Sequence, residues 1–161
     1  MPIVLFRVDE RLIHGQVVVG WGERLRVDRI IVVDDEISAS SWEQELYCLG
    51  VPPAVEASFR TVEQARAEYP QWREDAARTI VLVRGLATLC QMADGGLLNH
   101  EEVNLGGIHF AQGRERILPY LFLSAEEQKD LRRVAETGAV LAARDLPTSR
   151  SIPLESLLED L

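Results

Sequence analysis

The sequence predicts an α/β fold with a single open, mostly parallel β-sheet and helices on both faces. Short apolar runs typical of buried strands alternate with stretches of helical periodicity, and the connections between them are short. No internal repeat, low-complexity segment or interdomain linker interrupts this alternation. Residues 1–161 are therefore predicted to form one domain.

The predicted strands are short apolar or alternating runs that end in charged residues, glycine or a helix cap. The first two and the fourth are almost wholly apolar, as expected of strands that are covered on both faces. The third alternates between apolar and polar residues, which predicts a half-exposed strand. In chain order the predicted strands are 3–6, 30–33, 55–59, 79–83, 102–105, 120–123 and 139–143.

The first two predicted helices show apolar residues at spacings of three and four. The first begins after Gly15. Ser40 and Ser41 offer caps for the second, with Glu43 or Gln44 three residues further on. The predicted apolar faces are Val17, Trp21 and Leu25 in the first helix, and Trp42, Leu46 and Leu49 in the second.

The later helices are predicted from caps and glycine stops. Ser124 with Glu127 forms a capping pair before an apolar helical stripe, and Gly138 ends that helix. Thr61 with Gln64 opens a shorter helix in the same way. The predicted helices are 61–69, 86–94, 125–137 and 153–161, and the polar stretch 70–77 is predicted to be a loop.

Composition narrows the function classes. The formal net charge is −9 and no basic stripe occurs, which argues against nucleic-acid binding. With one lysine and no phosphate-loop motif, the chain is not a Walker-type ATPase. Three dispersed histidines lack the spacing of metal ligands, so neither a metal nor a cofactor is expected. The two cysteines are too few for a disulfide framework and are predicted to be buried.

Location also follows from composition. No apolar run approaches the ~20 residues needed to cross a membrane. The first residues lack a basic region followed by an apolar core and a cleavage site. We therefore expect a cytoplasmic protein.

A histidine between the first strand and the first helix is the main candidate for chemistry. His14 lies in the run 7–17, with Arg7 and Arg11 before it and Gly15 directly after it. Imidazole is a nucleophile at neutral pH, and guanidinium groups match phosphate oxygens. Free amides at a helix start attract anions, and glycine lets the backbone come close. The arrangement predicts a histidine that carries a phosphoryl group.

The neighbours of His14 have less certain roles. Arg11, which is nearer in sequence, is the better candidate for binding phosphate, whereas Arg7 could bind phosphate or pair with Asp9. Asp9 would repel a phosphoryl group, so we interpret it as a structural partner of an arginine or of loop amides. Gln16 either donates to a phosphate oxygen or faces solvent.

A second segment supports this site. Asn104 precedes the pair Gly106-Gly107, which predicts a tight turn after a short strand. The turn could pack beside the His14 loop or merely reverse the chain. His100 and His109 are interpreted as loop or strand histidines with ordinary hydrogen bonds.

The run 7–17 resembles the IIB signature of the mannose/fructose/sorbose class of the bacterial sugar phosphotransferase system. In that family a strand ends in Arg-(Ile/Val)-Asp-(Asp/Glu)-Arg-Leu-Ile-His-Gly-Gln-Val, and the histidine is phosphorylated. All eleven positions of the run fit this pattern. The segments 104–107 and 144–147 are also similar to the family, and the family fold is an open α/β sheet. The chain departs from the pattern in two places. Asp34 stands where Asn is usual, and Arg84-Gly85-Leu86-Ala87 follows the fourth strand, where most members carry a polar residue and Pro-Glu or Pro-Asp.

The resemblance implies a protein-histidine–sugar phosphotransferase component of the EC 2.7.1 type. A phosphorylated IIA subunit would pass its phosphoryl group to His14, and the group would then reach a sugar taken up through membrane IIC and IID subunits. The alternative is a regulatory phosphocarrier of an incomplete system with no sugar transport. A third interpretation, a phosphohistidine hydrolase or mutase, ranks lower because Ile13 replaces the arginine of the usual Arg-His-Gly run. The sugar and the oligomeric state, homo-oligomer included, stay open.

Overall fold

The computed structural model describes residues 2–158. Seven strands form its main sheet: β1 (Ile3–Val8), β2 (Arg29–Val33), β3 (Glu56–Arg60), β4 (Thr79–Val83), β5 (Glu102–Leu105), β8 (Val140–Ala143) and β9 (Ile152–Pro153). Two more strands, β6 (Arg114–Leu118) and β7 (Leu121–Ser124), pair separately. The order across the main sheet is β3-β2-β4-β1-β5-β8-β9. All neighbours are parallel except β9, which runs antiparallel to β8.

Helices cover both faces of this sheet. They are a π-helix (Gln16–Glu23), α1 (Asp35–Ser38), α2 (Ser41–Cys48), α3 (Val62–Glu74), α4 (Leu86–Ala93), α5 (Ala125–Glu136) and α6 (Leu154–Leu157). The π-helix and α1 contribute Trp21 and Ile37 to one apolar core. Helices α3, α4 and α5 contribute Tyr69, Leu89 and Leu131 to the other. The predicted α/β class, with an open and mostly parallel sheet, is confirmed.

The topology opens a crevice beside β1. The chain leaves β1 for the π-helix on one face of the sheet, whereas it leaves the adjacent β4 for α4 on the other face. Neighbouring strands whose connections depart to opposite faces leave a gap at their carboxyl ends, and ligands of open α/β sheets bind there. His14 lies at this position.

The predicted loop 70–77 is wrong for its first half, because α3 continues through Pro70 to Glu74. Tyr69 and Trp72 are buried on either side of the proline, with their rings 5.8 Å apart. Pro70 itself is exposed. Packing of the two aromatic rings outweighs the hydrogen bond that proline removes from a helix.

The predicted apolar face of the second helix is also wrong, because Trp42, Leu46 and Leu49 are 65%, 56% and 83% exposed. Helix α2 is oriented by other residues of its short length. The Gln44 side chain donates to the carbonyls that end α1, and Tyr47 packs on Phe59 with ring centroids 6.5 Å apart. The apolar stripe therefore faces solvent.

Smaller differences concern the cysteines and the C-terminal third. Cys48 is exposed, contrary to the prediction, and Cys90 is half-buried. The strand predicted at 120–123 is β7, which pairs with the unpredicted β6 outside the main sheet. The terminal helix of the described part is Leu154–Leu157, and the predicted continuation over 159–161 lies outside the described residues.

Candidate functional site

The loop after β1 is held between the ends of two neighbouring strands. The Asp9 amide donates to the Val83 carbonyl at 3.0 Å, and the Glu10 amide donates to the Gly107 carbonyl at 2.8 Å. Leu12 then turns the chain with a φ of 55°, a left-handed conformation that costs free energy for a residue other than glycine. Its side chain is fully buried, so core packing maintains the turn that presents the histidine.

The carboxylate of Asp9 is the centre of the site. It is inaccessible to solvent, and its Oδ1 accepts the Arg11 amide at 3.0 Å. Its Oδ2 accepts the Gly107 amide at 3.4 Å and lies 3.2 Å from both Arg7 Nη2 and His14 Nε2. Burial by itself would raise the pKa of Asp9, but the contacts with His14, the Arg11 amide and the Arg7 guanidinium outweigh burial and lower it to about 2. Asp9 is therefore ionised at neutral pH.

One nitrogen of the His14 ring is buried against this carboxylate. The side chain is 15% exposed, whereas its Nε2 is inaccessible. The 3.2 Å approach to Asp9 is not aligned as a strict hydrogen bond, and within residues 2–158 no better-aligned partner faces Nε2. The His14 carbonyl accepts the amides of Val17 and Val18, which places the ring directly at the start of the π-helix. The burial of Nε2 against Asp9 therefore distinguishes the two nitrogens of the ring.

Arg11, Gln16 and Gly15 line the more open side of the loop. The Arg11 side chain is 42% exposed, and its Nη2 donates to Gln16 Oε1 at 2.7 Å. Its Nε lies 3.6 Å from Asp9 Oδ1. A side-chain carbon placed on Gly15 would meet no atom within 4 Å, so space is open there. The structure thus brings the side chains of Arg11 and Gln16 together on the loop that carries His14 and Gly15.

Arg7 lies inside the protein below the loop. It is fully buried, and its guanidinium donates to Asp9, to Asn104 Oδ1 and to the carbonyls of Arg144 and Asp145. Burial lowers the pKa of Arg7, and the charge of Asp9 partly offsets that effect. The structure thus shows the pairing of Arg7 with Asp9, which is one of the two roles predicted for this arginine.

The predicted turn after β5 lies beside the His14 loop. Asn104 accepts from Arg7 and donates to the Arg144 carbonyl at 3.4 Å, so it links β1 to β8. Gly106 donates its amide to Val8 O at 2.8 Å, and the Gly107 amide approaches Asp9. The segment therefore contacts both members of the buried pair formed by Arg7 and Asp9.

The two departures from the family pattern contact each other. Arg84 follows β4 and Asp34 follows the neighbouring β2, and Arg84 Nε lies 3.3 Å from Asp34 Oδ2. Asp34 also accepts the Ile37 amide and so caps α1. Together they add an ion pair to the same edge of the sheet.

Sequence reasoning missed a second group of residues at this edge. Glu10 accepts the backbone amide of His109 and faces Arg114 Nη1 at 3.4 Å. Arg114 in turn forms two 2.9 Å hydrogen bonds with Glu127. The sequence offers Glu10 as part of the matched run, His109 as a weak candidate and Arg114 as a residue that could face a phosphorylated partner. It does not predict that they meet, because Glu10 is about 100 positions from the other two.

Residues 2–158 were searched for metal-binding groups and for membrane-spanning helices, and neither was found. No group of three or more histidine, cysteine, aspartate or glutamate residues has an arrangement that could hold a metal ion. No helix in this part of the chain is both long and apolar enough to span a bilayer.

Comparisons with known proteins agree with the resemblance of the run 7–17. The sorbose-specific EIIB component of Lacticaseibacillus casei is 29% identical over 161 residues, which are 100% of this chain and 98% of that protein. The mannose-specific EIIAB component of Escherichia coli K12 is 28% identical over 161 residues, and the match covers 100% of this chain and 50% of that longer protein.

Solved structures of the same class share the fold. The crystal structure of manxB from Thermoanaerobacter tengcongensis superposes with a TM-score of 0.86 at 28% identity, covering 98% of this chain and 95% of that one. The IIBSor domain of the sorbose permease from Klebsiella pneumoniae gives 0.85 at 25% identity, covering 100% and 99%. The family model described as the sorbose subfamily IIB component of the PTS system matches residues 3–161. The chain belongs to this family of IIB components, which are phosphotransferases of sugar transport.

Proposed function

We propose that this chain is a phosphohistidine carrier that accepts a phosphoryl group from a IIA subunit on Nδ1 of His14. The single observation that supports this most is the buried carboxylate of Asp9, 3.2 Å from Nε2 of the ring. An anion at that nitrogen favours the tautomer with the proton on Nε2. The lone pair is then on Nδ1, where a nucleophile is needed.

Asp9 also stabilises the product of the transfer. When Nδ1 bonds to phosphorus while Nε2 keeps its proton, the ring becomes cationic. A buried and ionised carboxylate next to Nε2 compensates that charge. Arg7 also holds the carboxylate, because its Nη2 lies 3.2 Å from the same Oδ2 oxygen. In the same way, the aspartate of a Ser-His-Asp triad orients the imidazole and stabilises its cationic form.

The transfer exchanges one nitrogen–phosphorus bond for another. The lone pair of His14 Nδ1 attacks phosphorus as the bond to the donor imidazole breaks, and the donor ring keeps that electron pair. The loose transition state carries charge on three equatorial oxygens. In this proposal Arg11 and Gln16, whose side chains contact each other on the His14 loop, stabilise that charge.

The partners follow from the family and from the chemistry. In the proposed exchange the donor is itself a phosphohistidine protein. One relative carries EIIA and EIIB in a single protein, which supports a IIA subunit as that donor. We propose that the final acceptor is a sugar taken up through IIC and IID subunits.

The test is a transfer experiment with purified proteins. Mixing the chain with labelled phospho-IIA should place acid-labile, base-stable label on His14, and adding unlabelled IIA should remove it. Exchange in both directions is expected because both species are phosphohistidines of similar energy. Nitrogen-15 NMR of the product should show the phosphoryl group on Nδ1.

Other outcomes identify the competing functions. Labelling from ATP and magnesium alone would indicate a kinase, and rapid release of free phosphate would indicate a hydrolase. Transfer from IIA without onward transfer to sugar in membranes that contain IIC and IID would favour the regulatory phosphocarrier. Label on Nε2 would contradict the role that we assign to Asp9.

A further inference from the structure

The loop that follows β5 brings a second histidine to the His14 loop. His109 lies three residues beyond Gly106, whose amide is bonded to β1, and its side chain is 55% exposed. The two loops are also joined by the Glu10 amide and the Gly107 carbonyl at 2.8 Å. His109 is therefore fixed relative to His14, although 95 positions separate them in the sequence.

Glu10 sets the orientation of the His109 ring. Glu10 Oε1 accepts the backbone amide of His109 and lies 3.4 Å from its Nδ1. Arg114 supports this arrangement, because its Nη1 donates to the His109 carbonyl at 2.9 Å and lies 3.4 Å from Glu10 Oε2. With Nδ1 directed to the carboxylate, Nε2 is the free nitrogen of His109.

That nitrogen and Arg11 approach the same point above Gly107. A side-chain carbon placed on Gly107 would lie 3.6 Å from Arg11 Nη2, 3.7 Å from His109 Nε2 and 3.5 Å from Asp9 Oδ1. Asp9 Oδ1 is already occupied by the Arg11 amide. Two nitrogen donors from opposite loops thus border one small space beside the carboxylate that faces His14.

We propose that His109 is a second phosphoryl-binding side chain, which donates from Nε2 to the group carried on His14 while Arg11 donates from the other loop. The inference rests on the proposed phosphorylation of His14. In this role the ring lies between the carboxylate of Glu10 and the phosphoryl group, which face its two nitrogens. Arg11, Arg114 and Asp9 are the other charged groups close to it from the adjoining elements. Glu10 is then the positioning residue of His109.

Two substitutions at position 109 separate this role from a structural one. In His109→Asn the amide group stands where Nδ1 was and keeps the contact with Glu10, but it cannot reach the phosphoryl group. In His109→Gln the longer side chain reaches the position of Nε2. His100→Asn is the matched control, because His100 is exposed at the opposite end of β5 and asparagine tolerates its φ of 67°.

The transfer rate from phospho-IIA is measured for each variant, with folding checked by circular dichroism. His109→Asn should be slower by about 10- to 100-fold, the loss expected for one hydrogen bond to a charged group. His109→Gln should recover most of the rate, and His100→Asn should equal the wild type. Nitrogen-15 NMR of the wild type should also show the Nε2 signal of His109 shift when His14 is phosphorylated.

Four results would count against a phosphoryl-binding role of His109 or against the proposed function. Equal rates for His109→Asn and the wild type, or a His109→Gln rate as low as that of His109→Asn, would overturn the inference. It would also be overturned if phospho-His14 released free phosphate in the wild type but not in His109→Asn, since His109 would then activate water. If His14 accepts no label in the wild type, the proposed function itself has failed, which is a distinguishable result.

Discussion

The guanidinium of Arg7 occupies the space that a side chain at Gly106 would need. A carbon placed on Gly106 would overlap the central carbon and two nitrogens of that guanidinium. From this position Arg7 reaches Asp9, Asn104 and two carbonyls beyond β8. Because Gly106 has no side chain, the guanidinium of Arg7 can bind groups at the ends of β1, β5 and β8.

Gly106→Ala should damage the site, whereas Gly15→Ala should leave the fold intact. The alanine at 106 must displace Arg7, which removes the support of Asp9, while the alanine at 15 meets no atom within 4 Å. Thermal unfolding of the two variants gives the comparison, and we expect a lower Tm for the first and little change for the second. Equal Tm values would show that the Arg7 side chain can adopt another conformation without loss of stability.

Arg7→Met should lower the free energy of unfolding by about 3–5 kcal/mol, the usual cost of removing one partner of a buried ion pair. Asp9 would lose its buried cation and keep only the partly exposed Arg11, and the carbonyls of Arg144 and Asp145 would lose donors. Urea unfolding at neutral pH measures the change. A loss below about 1 kcal/mol would contradict the structural role, because such small values are typical of exposed pairs.

Local chemistry made much of this architecture predictable. The strands were readable because parallel strands covered on both faces are continuous apolar runs, and Thr61 and Ser124 mark real capping boxes. The continuation of α3 through Pro70 and the exposure of Trp42, Leu46 and Leu49 are not predictable from local sequence, because tertiary packing decides which apolar residues are buried. The same limit applies to the site. The matched run indicates His14, but no local pattern predicts that Arg7 is buried or that His109 contacts Glu10 of the His14 loop.

His14→Ala should abolish labelling by phospho-IIA, since it removes the proposed nucleophile. His100→Asn serves as the control, because it changes a histidine at the far end of β5 and should be labelled fully. Phosphorylation is followed by transfer of label and by intact-protein mass. Full labelling of His14→Ala would mean that another residue carries the phosphoryl group.

The depressed pKa of Asp9 predicts a specific loss of stability in acid. Its folded value of about 2 lies below the ordinary value of 3.8. Its ionisation therefore contributes stability that is fully present above about pH 4 and is lost as pH falls through about 2. The contribution is about 2 kcal/mol. In urea unfolding at several pH values, the stability difference between the wild type and Asp9→Asn should shrink over this window, and a constant difference would contradict the assignment.

Arg11→Ala should slow phosphoryl transfer by ~10²–10³-fold, the effect expected when one donor to the transition-state charge is removed. Arg11 is the arginine that remains available at the loop, since Arg7 is buried and fully engaged. Because the Arg11 side chain is 42% exposed, the variant should keep its fold.

The controls separate this chemistry from general charge effects. Arg24→Ala removes the same charge from an exposed position just beyond the far end of the π-helix and should transfer at the wild-type rate. Arg11→Lys keeps the charge but loses the planar fork, so its rate should fall between those of the alanine variant and the wild type. If Arg11→Ala changes only the IIA concentration needed for half-maximal rate, then Arg11 binds the partner and another group stabilises the transferring phosphoryl.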